Sequence, residues 1–354
     1  MHYLMNKNTP VLEIESARIL DINKLPLALK TANLTYGEIY KWLVHRALPL
    51  TRKNADKIYR TLGIPRDNSE FELMCITHSL SINDNYWIAH EKELGNLKYE
   101  DINLFTNSLN KSLYLVALRG DDDFTITDKN ISAEYTGQGT YPKCFVREND
   151  GIYLYKSGPT SEIINEIYAA FIAQLVEFKS VTYEYTKLGG IDCTKTKIIT
   201  GLYENWESAF ILSEYIYAET GLIPQDFALH NYRIDYSNMI IFDALILNDD
   251  RHMKNWSFSV DVITNTIVGI SHSYDYNKAF QANIKSLSNL IFDGNRRLNL
   301  LSAARKAYSE IGTSLNLEYL YNIIDRLDIN IDKKALKNRI LYIIGKKENQ
   351  NDCY

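Results

Sequence analysis

A chain of 354 residues, 45% of them hydrophobic, is long enough for two or three packed units and too long for one small domain. Acidic and basic residues are intermixed and sum to a formal charge of -5, which excludes the globally basic surface that nucleic acid or an anionic membrane demands. Cys75, Cys144, Cys193 and Cys353 contain no Cys-x-x-Cys pair, so they fit reduced thiols of a cytoplasmic protein better than a zinc or redox site. The chain does not open on a basic segment followed by an apolar run. Its longest apolar runs, such as Met239 to Leu247, are too short to span a bilayer, and neither a signal peptide nor a membrane partner is expected.

The texture divides the chain into three regions. The first, residues 1–105, reads as a helical subdomain. Thr35 and Glu38 have the spacing of a capping box, which predicts a helix to about Ala47. Pro49 breaks that helix, Thr51 restarts it, and Gly63 with Pro65 ends the second one. Such a hairpin reads either as a DNA-binding helix-turn-helix or as a helical subdomain packed on its neighbour, and the generic pattern favours packing. The second region, 106–204, carries strand signals at Tyr114–Leu118, Gly151–Lys156 and, more weakly, Lys195–Thr200. Between the last two, Ser161 to Val176 places Ile163, Ile167 and Phe171 largely on one side of a helix. The third region, 205–354, reads as helical over 206–220, 237–247, 297–311, 317–327 and 333–344. One β-hairpin interrupts it, with strands over 256–262 and 267–271 around Thr264-Asn265-Thr266.

The chemistry concentrates where the apolar run 239–247 gives way to Asn248-Asp249-Asp250-Arg251-His252-Met253-Lys254-Asn255. Asp250 and Asn255 stand five apart in a loop, and the hairpin that follows brings Asp275 back beside Asn255. Two carboxylates and an amide oxygen are hard ligands suited to Mg2+. In phosphoryl transfer, one acid orients the acceptor hydroxyl while an Asn and an Asp hold metal on the phosphates. The competing reading makes these residues turn formers and caps. The preceding helix, His252, the hairpin and the second Asp together favour catalysis. Upstream, Thr136-Gly137-Gln138-Gly139-Thr140-Tyr141-Pro142-Lys143 is a glycine loop whose backbone can approach phosphates. Lys156 follows on a strand and Glu166 on a helix, in the order of a lysine that holds ATP phosphates and a glutamate that holds the lysine.

These residues resemble the HipA-like serine/threonine kinases. The resemblance is carried by Gly139, Pro142 and Lys143, by Tyr153-Leu154-Tyr155-Lys156, by Asn165-Glu166, and most specifically by Asn248 to Asn255 with the Asp275 segment. It spans roughly residues 110–330. It implies an α+β fold, kinase-like and two-lobed, with a β-rich N-lobe over 106–204 and a helical C-lobe over 205–354. Asp250, with His252 two residues on, would be catalytic, and Asn255 and Asp275 would bind magnesium. Lys156, Gly137, Gly139, Lys143 and Glu166 would serve ATP. Residues 198–202, including Thr200 and Leu202, would form the hinge beside adenine. The partners implied are a protein with a Ser or Thr acceptor and an antitoxin or DNA-binding protein. Thr136 stands seven before Lys143, where family toxins carry an autophosphorylated serine. The first hundred residues depart from the known toxin kinases, while Ser79 to Ile88 resembles shorter, stand-alone members of phage type. Two other functions compete. A small-molecule phosphotransferase of the aminoglycoside type would place its His two before the catalytic Asp, whereas His252 follows Asp250. A DNA-binding regulator with a degenerate kinase domain would not need Lys156, Asp250, Asn255 and Asp275 intact.

Overall fold

The computed structural model describes residues 1–49, 51–61, 70–109, 113–121, 139–290 and 298–346. The chain forms two compact units. One comprises Met1–Gly158, Thr186–Glu207 and Ser259–Val268, and the other Pro159–Tyr185, Ser208–Phe258 and the chain from Gly269 onward. Among the described residues no helix is long and apolar enough to cross a membrane.

The first unit holds two four-stranded sheets and most of a three-stranded one. Strands β1 (His2–Asn6), β2 (Thr9–Glu13), β3 (Arg18–Ile19) and β4 (Tyr86–His90) pair in the order β3-β2-β1-β4. The N-terminal 105 residues thus carry a sheet as well as helices α1 (Tyr36–Val44), α2 (Ala55–Thr61), α3 (Glu70–Ile76) and α4 (Tyr99–Ile102). The capping box at the start of α1 is formed. The Glu38 amide donates to Thr35 Oγ1 at 3.3 Å and the Thr35 amide to Glu38 Oε2 at 2.7 Å. Strands β5 (Lys143–Glu148), β6 (Gly151–Ser157), β7 (Glu184–Leu188) and β8 (Ile191–Lys197) form a second sheet ordered β5-β6-β8-β7.

Alternation along β5 and β6 covers that second sheet on both faces. Cys144, Tyr155 and Cys193 join a core with Ile58 and Tyr59 of α2. Phe145 and Ile152 join another with Met5, Trp87, Tyr99 and Ile102. The segment 114–118, expected as a strand, is instead a π-helical turn over Leu115–Arg119 that ends on Gly120 at φ 78°. Val116, Ala117 and Leu118 are buried in succession, which a one-sided strand cannot do.

In the second unit, α5 (Thr160–Leu175) leads into Val176, whose carbonyl accepts from the Asn316 amide at 3.0 Å. Phe178 then stacks on Phe242 at 4.4 Å. These contacts group the Glu166 helix with the C-terminal half of the chain. Helices α6 (Ser213–Thr220), α7 (Pro224–Asn231), α8 (Arg233–Leu245), α9 (Leu300–Glu310), α10 (Leu317–Ile323) and α11 (Lys333–Ile343) complete the unit. The helix expected from Trp206 starts later. Residues Glu204–Ser208 form β9, which pairs with β10 (Ser257–Asp261), and β10 pairs with β11 (Thr266–Ile270) as the expected hairpin. Alternating burial of Asn205 and Glu207 is the strand's signature, and the pairing partner lies some fifty residues away in sequence.

Glu207 is buried in the first unit, and among the described residues its Oε2 meets no donor. Burial, followed by the nearby Asp84 charge, pushes its carboxyl up to about 8, against the pull of Arg46. Its folded pKa exceeds its unfolded one, so the folded state holds the extra proton between the two. The stability it contributes is present at low pH and is lost as pH rises through the folded value. Thermal melting of the wild type should therefore fall between about pH 5 and about pH 8. Glu207→Gln, neutral throughout, should flatten that slope, and an unchanged slope would remove Glu207 as its source.

Candidate active site

The site is built at the end of α8. Every residue from Tyr236 to Leu245 is buried, including Asp243 in the middle of an apolar face. The helix stops at Ile246, and Leu247 takes a left-handed φ of 50° that turns the chain out of the helix axis. Asn248 closes the turn. Its amide N–H donates to the Asp243 carbonyl at 2.9 Å and its Nδ2 to Asp243 Oδ1 at 3.0 Å. Its Oδ1 accepts from the Asp250 amide at 3.3 Å.

Arg251 fixes the remainder. It is 1% exposed. Its Nε and Nη2 donate to the two Asp243 oxygens at 3.2 and 3.1 Å, a two-pronged pair. Its Nη1 donates to the Asn255 carbonyl at 2.7 Å and to the Tyr274 carbonyl at 2.6 Å. The guanidinium also lies 5.3 Å from the centre of the Tyr276 ring. Burial pulls this group down, but the Asp243 carboxylate overrides that and holds it above its usual range, fully charged. One side chain thus ties α8, the loop of Asp250 and Asn255, and the segment of Asp275 together.

Asp250 is half exposed, at the mouth of this arrangement. Burial first, and then the Asp275 charge, push its carboxyl up, against His252, which pulls it down. Asn255 is 9% exposed and its Nδ2 donates to the Asp250 carbonyl at 2.8 Å, which leaves the amide oxygen as its end for a cation. His252 is exposed. Its Nε2 lies 3.7 Å from Asp250 Oδ1, and its Nδ1 accepts from the Lys254 amide at 3.3 Å. Asp275 adopts a left-handed φ of 61°, uncommon for a residue with a side chain. Its N–H donates to the Tyr183 hydroxyl at 3.1 Å. Glu166, buried in α5, is close enough to Tyr183 for its charge to raise that phenol. The donor set of Asn255 and Asp275 is hard oxygen, which fits magnesium. Among the described residues no three His, Cys, Asp or Glu side chains gather as a closed metal cage. Magnesium bound through one carboxylate, an amide, waters and phosphates does not require one.

In the first unit, Lys156 sits on β6 directly opposite Lys143 on β5, with its ammonium 5.5 Å from the centre of the Tyr141 ring. Gly139 has φ 92°, and a Cβ there would meet Lys143 Nζ at 2.7 Å. The glycine lets that backbone run under the lysine. Thr200 Oγ1 donates to the Ile82 carbonyl at 2.6 Å, and the Leu202 carbonyl accepts from Lys7 Nζ at 3.0 Å. Thr136 and Gly137 lie outside the described residues. Asp243 and Tyr183 lie outside the motifs visible in the sequence, and Arg251 stands inside the Asn248–Asn255 element without a role of its own there. An acidic residue inside the apolar run 239–247 was the available signal for Asp243 and Arg251.

No family model and no curated protein matches the chain. Solved structures do. HipA of Shewanella oneidensis MR-1, determined with HipB and operator DNA, superposes with a TM-score of 0.57 at 13% identity, over 98% of this chain and 96% of that one. The Helicobacter pylori proinflammatory kinase CtkA matches with a TM-score of 0.44 at 18% identity, over 58% of this chain and 90% of that one. The chain thus has a kinase-like α+β fold of the HipA kind, the class its motifs resemble.

Removing one partner of a buried ion pair strands the other. Arg251→Ala should cost about 3–5 kcal/mol. The loss should appear as faster amide exchange along α8 and a lower denaturation midpoint. Retained wild-type exchange in α8 would show that Arg251 does not hold the helix to the loop.

Proposed function

We propose that the chain is an ATP- and magnesium-dependent kinase that transfers a phosphoryl group to a Ser or Thr hydroxyl of a protein substrate. The observation that carries this reading is the convergence on Arg251 of the Asn255 and Tyr274 carbonyls, which brings the Asp250–Asn255 loop beside Asp275. The kinase-like fold supports it, as does the order of glycine loop, strand lysine, helix glutamate and distal acid in the sequence.

Asp250 is assigned to the acceptor. A carboxylate at the mouth of the site accepts a hydrogen bond from the incoming hydroxyl, aligns its oxygen and takes its proton as that oxygen bonds to the γ-phosphorus and the bond to the departing ADP breaks. The loop bonds described above restrict where that carboxylate can go. Asn255 and Asp275 would hold magnesium, which when bound offsets the charge of the phosphates. Lys156 is assigned to the ATP phosphates from its motif and strand position, and Thr136 to autophosphorylation from its register. HipA was solved with HipB and operator DNA. A partner protein of that kind and a cytoplasmic location belong to the same proposal.

Calorimetry of ATP with and without magnesium, paired with transfer assays, tests the assignments together. Asp250→Ala should bind ATP nearly as wild type while transfer falls by a factor on the order of 10² to 10⁴. Asp275→Ala, and more mildly Asn255→Ala, should weaken magnesium-dependent binding as well as turnover. Asp249 is the internal control. Its carbonyl is held by Asn289 Nδ2, and Asp249→Ala should keep substantial activity. Full transfer by Asp250→Ala, or ATP binding indifferent to magnesium in the wild type, would sink the kinase reading.

Lys156→Ala makes a separate claim about nucleotide affinity. ATP binding or turnover should drop severely, and wild-type values would take Lys156 out of the site.

A further inference from the structure

Asp275 occupies a left-handed backbone conformation at φ 61°. No glycine relieves it, so its surroundings must favour that conformation over the alternatives. The stretch that follows α5 supplies such surroundings. Residues 179–183 run beside 273–276 and are bonded to them repeatedly. The Ser273 amide donates to the Lys179 carbonyl at 2.9 Å, and the Val181 amide to the Ser273 carbonyl at 3.0 Å. Ser180 Oγ and the Tyr276 hydroxyl are 2.6 Å apart. The last bond in the series runs from the Asp275 N–H to the Tyr183 hydroxyl at 3.1 Å, and the Tyr183 ring packs edge-on against Tyr276 at 6.2 Å. All of these residues lie in the second unit.

We propose that residues 179–183 act as a splint for the metal-binding segment, and that Tyr183 is the positioning residue that holds Asp275 for magnesium. The inference rests on the kinase reading above and adds a residue to it. A turn that bends an aspartate into the left-handed region leaves its amide N–H in need of an acceptor. The phenol oxygen meets that need. As an ordinary neutral phenol, that oxygen accepts the N–H without adding a charge that would repel the carboxylate it positions. Tyr183 is 92 residues from Asp275 in sequence, and no local motif joins them.

Tyr183→Phe removes the acceptor and keeps the ring against Tyr276. ATP binding should be measured by calorimetry across a magnesium titration in the wild type, Tyr183→Phe, Asp275→Ala and the double variant. Tyr183→Phe should raise the magnesium concentration for half-maximal enhancement by about three- to tenfold, the worth of one neutral hydrogen bond. ATP affinity without magnesium should not change. In the Asp275→Ala background the same substitution should add nothing, because the group it positions is already gone. A magnesium dependence unchanged by Tyr183→Phe overturns the Tyr183 assignment and leaves the kinase reading standing. So does an equal loss of ATP affinity with and without metal. A wild type whose ATP binding ignores magnesium removes both.

Discussion

Arg251 carries a full charge into a place that is 1% exposed, and the rest of the site depends on how that charge is compensated. Desolvating a guanidinium costs several kcal/mol, and a single ion pair seldom offsets it. Here the compensation is spread. Two donors go to Asp243, two bonds go to carbonyls from different segments, and the Tyr276 ring lies alongside. Because the charge is satisfied only when all the segments are in place, they are locked together. An apolar residue of the same volume would fill the space without specifying where the Asn255 and Tyr274 carbonyls lie. That distinction makes a buried ion pair worth its desolvation where several segments must be held in one arrangement.

The backbone around Arg251 shows the consequence. Leu247 and Asp275 both take left-handed φ angles, of 50° and 61°, without being glycine. Each conformation costs on the order of 1 kcal/mol or more and persists only where neighbours outvote it. For Leu247 the outvoting comes from Asn248, whose main chain and side chain both bond back to Asp243. For Asp275 it comes from the 179–183 stretch. The turn out of α8 sets Asp250 at the surface while Asn248 and Arg251 on either side stay buried. A carboxylate with immobile neighbours is what the proposed alignment of an acceptor hydroxyl would require.

How much of this could be read from the sequence follows from how local each cause is. The capping box at Thr35, the stop at Gly221 and the hairpin over 257–270 are set by residues a few positions apart, and each was legible. So was the return of the 274–275 segment toward the loop of Asp250 and Asn255, since a hairpin joins them. The helix expected from Trp206 takes in the last three residues of the strand Glu204–Ser208, because these reveal a strand only once β10 pairs with them. The turn at Leu115–Arg119 was read as a strand because an apolar run of five has no period of its own. Asp243 is one acidic residue within the run 239–247, and its partner Arg251 lies eight residues on, across a turn that forms only in the folded chain. Tyr183 carried no signal at all, because its function is a hydroxyl placed beside an amide from a distant part of the chain.

The same reasoning bears on the N-terminal residues. A sheet buried on one face leaves polar alternation on the other. Strands β5 and β6 instead alternate between two cores. Cys144 and Tyr155 point into the one that includes α2, and Phe145 and Ile152 into the one that includes Met5, Trp87 and Tyr99. Residues before 105 therefore supply wall to both faces of the sheet that carries Lys156. In α2, Ala55, Ile58, Tyr59 and Thr61 are all buried, and Ala55, Ile58 and Tyr59 belong to that core. The helical hairpin that from sequence alone admitted a DNA-reading role is thus committed along one face to holding the lysine's sheet. Lys143 faces Lys156 in a register that pairs Cys144 with Tyr155 in the core that includes α2 and Phe145 with Leu154 at the other, and a one-residue slip of either strand would send its side chains to the opposite core.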